Sequence, residues 1–219
     1  MNSLSKIMRQ HVSVILASGS PRRKELFSRA GLIFSVHISN CDESTELTDP
    51  EALVAELSLR KARAVANELQ ETKHGSDPTG ALLVSADTVV ALDNRVLGKP
   101  ADEAEALAML NELSGRTHRV LTGVTTLYRS SRKTTFQPCF SFTDQTRVTM
   151  YPFTQDEALA YIATGEPMDK AGSYGIQGIG GRLVEKIEGS YDNVVGFPLP
   201  RFLRELISRE MITFETSGS

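Results

Sequence analysis

Nothing in the 219 residues approaches the roughly 18 consecutive apolar positions of a membrane-spanning helix, so no bilayer partner is expected. Charge of one sign is also missing: 24 lysines and arginines stand against 27 acids, for a net charge of −3. Without a positive field, a basic stripe or a row of stacking aromatics, nucleic acid is excluded as a partner, and any polyanion site must be local. Cysteine is scarce. Cys41 and Cys139 form neither a metal-ligand pattern nor a disulfide framework, and read as plain thiols of a reducing compartment. There is no P-loop, no G-x-G-x-x-G in a dinucleotide setting and no repeat of solenoid length. The closing Ser-Gly-Ser matches no address signal, and the expected location is cytoplasmic. What is left is an ordinary globular composition, 40% hydrophobic and 23% charged, sized for one large domain or two small lobes.

The stretch around which the chain is organised runs from Val14 to Lys24. Val14 to Ala17 reads as a strand buried on both faces. Ser18, Gly19 and Ser20 turn the chain, with Ser20 as N-cap, Pro21 at the first helical position and Gly31 as the stop. The first helical turn holds Arg22, Arg23 and Lys24. Cations at the positive end of a helix cost about 0.3–1 kcal/mol each. Together with free N–H groups and a serine-rich turn they favour a bound anion, most naturally phosphate; the plain alternative is a solvated basic turn.

Further along, Leu32 to Ser39 reads as a strand and Asn40 to Glu46 as an acidic loop. Thr48-Asp49-Pro50-Glu51 reads as a capping box opening a helix to about Glu71, with Lys61 inside it. Lys73 to Gly80 is a polar loop. Ala81 to Leu92 is an apolar strand interrupted by Asp87, a costly residue there unless it is paired, holds a metal or faces a cleft. Asp93-Asn94 suits a hairpin turn, and the return through Arg95 to Leu97 can carry Lys99 back toward Asp87. A helix from Asp102 to Leu113 follows. Strands at Val120–Tyr128 and Phe140–Tyr151 are expected to pair antiparallel, followed by a capping box at Thr154 and a helix to about Thr164.

The glycine-dense segment from Asp169 to Gly181 carries Lys170, Tyr174 and Gln177. Its glycines let backbone approach a ligand, and a glutamine amide both donates to and accepts from a base edge. A strand from Arg182 to Ile187, a turn from Gly189 to Pro198 and a helix from Pro200 to about Arg209 complete the pattern. One domain over residues 12–210 is expected, with residues 1–11 as a disordered extension and 211–219 as a fraying tail.

Five segments in order resemble the Maf family of nucleoside triphosphate pyrophosphatases: Ser18–Arg23, Ser85–Val90, Gly98–Pro100, Asp169–Gly178 and Asn193–Pro198. The resemblance implies an α/β fold, with an elongated mixed β-sheet flanked by helices and two lobes around a central cleft. It implies hydrolysis of a nucleoside triphosphate to the monophosphate and pyrophosphate with Mg2+ or Mn2+, by a homodimer. By position, Asp87 matches the family's proton acceptor, and Arg22, Thr88 and Gln177 its specificity positions. Ser18, Arg23, Glu43, Lys61, Lys99 and Lys170 fall among its polar active-site groups.

On that resemblance the Ser18–Arg23 turn holds phosphate oxygens, while Lys61 and Lys99 offset further charge. Asp87 is either the base for water or a metal ligand, with Glu43 the candidate second carboxylate. The form Ala171 to Gln177 resembles the branch preferring dTTP and UTP, with Gln177 pairing a pyrimidine by two hydrogen bonds. The loops at Lys73–Gly80 and Arg129–Cys139 are long for the family. Two alternatives stand beside this: a regulatory nucleotide-binding protein of cell division with little turnover, and a pyrophosphatase directed at purines or 7-methyl-GTP.

Overall fold

The computed structural model describes residues 8–71 and 80–214. In chain order the elements are β1 (Met8–Gln10), β2 (Ser13–Leu16), α1 (Pro21–Arg29), β3 (Phe34–Val36), α2 (Pro50–Glu71), β4 (Ala81–Leu92), β5 (Arg95–Leu97), α3 (Glu103–Leu113), β6 (Thr117–Arg129), β7 (Gln137–Met150), α4 (Gln155–Ile162), β8 (Val184–Glu188), α5 (Tyr191–Val195), α6 (Leu199–Ser208) and β9 (Ile212–Phe214). Short 3-10 turns at Glu166–Asp169, Ala171–Ser173 and Ile179–Leu183 lie between α4 and β8. Among the described residues no helix is long and apolar enough to cross a membrane.

The fold is α/β. A mixed sheet runs in the order β3-β2-β4-β6-β7-β8, with β5 hairpinned onto β4. β2 is parallel to β3 and β4, and every other pairing is antiparallel. β2 accompanies β4 only from Ala81 to Val84, and β5 joins it only at Val90. Between those points, among the described residues, one edge of β4 has no strand beside it, and Asp87 lies in the middle of the gap. The gap divides the molecule into two lobes around a cleft, at the carboxyl end of β2, where open α/β sheets commonly place ligands.

Each lobe has its own core. In the first, Phe27 of α1 meets Phe34, Phe197 and Phe202 at centroid separations of 5.4, 4.9 and 5.6 Å, against Leu16, Leu82 and Val84. In the second, α3 and α4 bury Leu110, Leu113 and Ile162 against Leu92, Val148 and Met150. α2 covers the remaining face of β4 and β6.

Several local expectations hold. Ser20 caps α1, its side chain accepting from the Arg23 N–H, with Pro21 at the first position. The Thr154 capping box is complete, with the Thr154 side chain accepting from Glu157 N–H and the Glu157 side chain from Thr154 N–H. Asp93 and Asn94 take positive φ values of 49° and 67°, as a tight hairpin turn requires.

Others are corrected. The cap of α2 is Asp49, which accepts from Ala52 N–H at 2.8 Å, and not Thr48. Proline fits the first helical position, and the residue before a proline resists helical angles, so Pro50 fixes the cap one residue later than the motif suggests. The strand expected over Leu32–Ser39 shrinks to Phe34–Val36, an edge strand with one partner. The strand expected from Arg182 begins at Val184, because Ile179–Leu183 forms a 3-10 turn. Residues 8–10 and 212–214, read as extension and tail, pair antiparallel. They do so because Met8, Val12 and Ile212 bury against the first core. The loop expected over Lys73–Gly80 lies outside the described residues except for Gly80.

α2 sits tightly on β6 at one point. A Cβ on Gly123 would lie 2.3 Å from the carbonyl oxygen of Val54. Beside it the hydroxyls of Ser58 and Thr125 meet at 2.8 Å, fully buried. Gly123→Ala must therefore push α2 off the sheet, and should cost about 1–3 kcal/mol in chemical denaturation.

In the second lobe His118 of β6 is buried and shares a 2.7 Å hydrogen bond with the Tyr174 hydroxyl. Burial pulls its pKa down to about 4. The unfolded chain, with a pKa near 6.5, then binds the extra proton between the two values. His118 thus contributes stability that is full above pH 6.5 and is lost as pH falls toward 4. Between pH 6.5 and 5 the share should be about 2 kcal/mol, measured as the fall in unfolding free energy, and His118→Gln should flatten it.

Candidate active site

The alternation of a strand places successive side chains of β4 on opposite faces. Asp87 consequently faces α2, while Thr88 faces α1 and α5. On the α2 side, Lys61 Nζ lies 2.6 Å from Asp87 Oδ1 and 2.9 Å from Glu43 Oε2. Burial alone pulls the Lys61 ammonium down, but the two carboxylates outweigh it and raise its pKa above the usual lysine value. Asp87 is only 8% exposed, and Lys61 compensates its charge. Asp87 Oδ2 has no hydrogen-bond partner among the described residues, which leaves it for a ligand.

On the other side, Arg23 turns inward from the first turn of α1. Its Nη1 donates to Ser18 Oγ at 3.1 Å, its Nη2 to Thr88 Oγ1 at 3.1 Å and its Nε to the carbonyl of Gly196 at 2.9 Å. Burial lowers the Arg23 pKa and the charge of Asp87 opposes it; the guanidinium stays charged. Thr88 also donates to the Gly196 carbonyl, at 3.2 Å. One guanidinium thus joins α1, β4 and the end of α5.

Arg22 reaches across the cleft to Asp169 Oδ2 at 3.0 Å. Lys170 Nζ donates to Asp169 Oδ1 and to the Glu166 carbonyl, both at 2.6 Å. Burial raises the Asp169 carboxyl, but its bonds to Lys170 and Arg22 prevail and hold it below the usual range.

These groups surround one cleft of about 670 Å3. Arg22, Arg23, Glu43, Lys61, Asp87, Thr88, Lys99, Lys170 and Gln177 all line it. Lys99 and Gln177 are exposed on its rim. Ser18 is the exception: it is buried behind Arg23 and bonds that side chain. Leu97, Val120, Tyr174 and Val194 form an apolar stretch of wall where a flat ring can lie. The sequence reading assigned no role to Glu166, to the Asp169 carboxylate or to the Gly196 carbonyl. Asp169 and Gly196 lie inside two of the five segments that resemble the Maf family, and Glu166 lies outside all of them.

The cleft holds five cations against four carboxylates, so most of its positive charge is already answered. A triphosphate would bring several negative charges more. Among the described residues no three acidic, histidine or cysteine side chains cluster as a closed metal cage. Glu43 and Asp87, with phosphate and water oxygens, form a donor set that suits Mg2+, which binds through one or two carboxylates and keeps several waters.

A sequence model of the Maf-like protein family matches residues 13–209. A dTTP/UTP pyrophosphatase of Agathobacter rectalis is 45% identical over 197 residues, which is 88% of this chain and 95% of that protein. One of Bacillus cytotoxicus is 47% identical over 193 residues, covering 88% and 93%. Among solved structures, a HAM1 protein from Coxiella burnetii superposes with a TM-score of 0.44 at 12% identity, over 91% of this chain and 99% of that one. That last likeness is slight.

Proposed function

The chain belongs to the Maf family, and on that premise we propose that it hydrolyses nucleoside triphosphates, dTTP and UTP foremost, to the monophosphate and pyrophosphate. Relatives of 45% and 47% identity bear the name dTTP/UTP pyrophosphatase, which supports the reading. The observation that carries it is that the arginines of α1 and the Lys61–Asp87 pair open on one cleft from opposite faces of β4.

In this reading the triphosphate tail lies along Arg22 and Arg23, with Lys99 and Lys170 adding positive charge. Ser18 and Thr88 hold the Arg23 fork in place. Lys61 holds Asp87 by its Oδ1 and leaves Oδ2 to face the water. Asp87 Oδ2 takes the proton as the water oxygen bonds to the α-phosphorus. The bond from the α-phosphorus to the bridging oxygen breaks, and its electron pair leaves with pyrophosphate, whose charge the arginines offset. A divalent cation held by Glu43, Asp87 and phosphate oxygens would supply further charge neutralisation. Gln177 offers a donor and an acceptor to the pyrimidine edge, and the apolar wall offers a surface to its ring. The same reading includes a homodimer in the cytoplasm, with Cys41 and Cys139 as free thiols.

The test is a panel of nucleotides with Mg2+, scored by pyrophosphate release. UTP and dTTP should be the best substrates. Asp87→Asn should lose about 10^2–10^4 in kcat, the usual scale for a general base, while nucleotide affinity changes little. Full activity in that variant contradicts the role given to Asp87. Tight stoichiometric binding without turnover in the unaltered protein favours the regulatory alternative.

A further inference from the structure

Gln177 stands on a loop with little to hold it in shape. Gly175, Gly178, Gly180 and Gly181 surround it, and its own side chain has no hydrogen-bond partner among the described residues. Yet base discrimination needs a loop that stays where it is, because a hydrogen-bonding pair rejects the wrong base only when its position is fixed.

Ile176 packs against the first core, and the structure supplies a polar anchor besides. Glu166 Oε2 accepts from Ile179 N–H at 2.8 Å, and Glu166 Oε1 accepts from Gly180 N–H at 3.2 Å and from the Tyr161 hydroxyl at 2.9 Å. Tyr161 is itself buried, and its oxygen accepts from Gly175 N–H at 3.0 Å. The two side chains thus hold both ends of the segment that carries Gln177. Burial acts to raise the Glu166 carboxyl, but the bonds from Ile179 and Gly180 prevail and hold it below the ordinary range. The glycines are fitted to this anchor. A Cβ on Gly178 would lie 2.3 Å from Glu166 Oε2, and one on Gly180 would lie 2.4 Å from the Tyr161 oxygen.

We propose that Glu166, seconded by Tyr161, is the positioning residue for base recognition: its carboxylate latches the Gly175–Gly180 loop and so sets how well Gln177 tells one base from another. The proposal rests on the cleft being the nucleotide site. Glu166 touches neither phosphate nor water in this scheme, since both its oxygens are engaged by the loop and by Tyr161. Glutamine cannot replace it. An amide carries one oxygen and one NH2, and either orientation sets a donor against at least one of the donors now bound.

The experiment is calorimetric binding of three probes: a non-hydrolysable uridine triphosphate analogue, its adenosine counterpart and inorganic tripolyphosphate. Tripolyphosphate has no base and reports the cationic cradle alone. Glu166→Gln should weaken the uridine analogue about tenfold, roughly the worth of one misplaced hydrogen-bonding pair. It should narrow the uridine-to-adenosine ratio and leave tripolyphosphate within about twofold. Tyr161→Phe should shift the same ratio less, and it carries the test if Glu166→Gln does not fold. In turnover, KM for UTP should rise more than kcat falls.

An unchanged ratio in these variants overturns the proposal, as does an equal loss for tripolyphosphate, which marks general collapse of the site. Pyrophosphate release is scored apart. A protein that shows the binding pattern without turnover overturns the hydrolase reading and supports the latch.

Discussion

The ion pair between Lys61 and Asp87 is the contact on which the arrangement depends. A carboxylate in the middle of an apolar strand is expensive, because burial strips it of water and nothing in the strand replaces that water. The cost is met chiefly by the ammonium of Lys61, 26 residues earlier, with the charge of Arg23 adding to it. That demand reaches outward. α2 must lie close enough to the sheet for a lysine to reach β4, and the close approach at Gly123, with the Ser58 and Thr125 hydroxyls beside it, provides this. The missing strand beside residues 85–89 then opens the free oxygen of Asp87 to the cleft. Removing Lys61 alone would leave the carboxylate without its ion-pair partner, which costs more than the pair is worth as stabilisation.

The opposite wall solves a different problem. Two arginines at a helix N-terminus repel the helix dipole and each other. Arg23 is held there by three neutral acceptors, and Arg22 by the carboxylate of Asp169. Both arginines thus have partners within the protein itself. A polyphosphate does not enter a vacant positive hole; it competes with Asp169 for Arg22 and adds to what Arg23 already holds. The cleft is therefore poised for an anion that brings several charges at once, more than for a single carboxylate or monophosphate.

How much of this was legible in the sequence depended on whether the signal was local. The Ser20-Pro21 start, the Thr154 capping box and the Asp93-Asn94 turn are decided within four residues, and they formed as read. Asp87 stood out because a charge in an apolar run contradicts its neighbours. Lys61 did not, because a helical lysine looks the same whether it meets solvent or a carboxylate. Its partner depends on the phase of α2 against the register of β4. The pairing of β1 with β9 joins three-residue segments some two hundred positions apart, below what periodicity can register. Glu166 left no trace beyond the glycines around Gln177, because its partners are backbone N–H groups and one tyrosine.

All of this requires that one triphosphate be gripped by α1 and presented to Asp87 at the same time. The most direct measurement is a crystal structure of the protein with Mg2+ and a non-hydrolysable uridine triphosphate analogue. The account predicts phosphates between Arg22, Arg23 and Lys99, the α-phosphorus facing Asp87 across one water, and the uracil edge toward Gln177. A nucleotide seated with its phosphates away from both arginines, or with its α-phosphorus out of reach of Asp87, would contradict it.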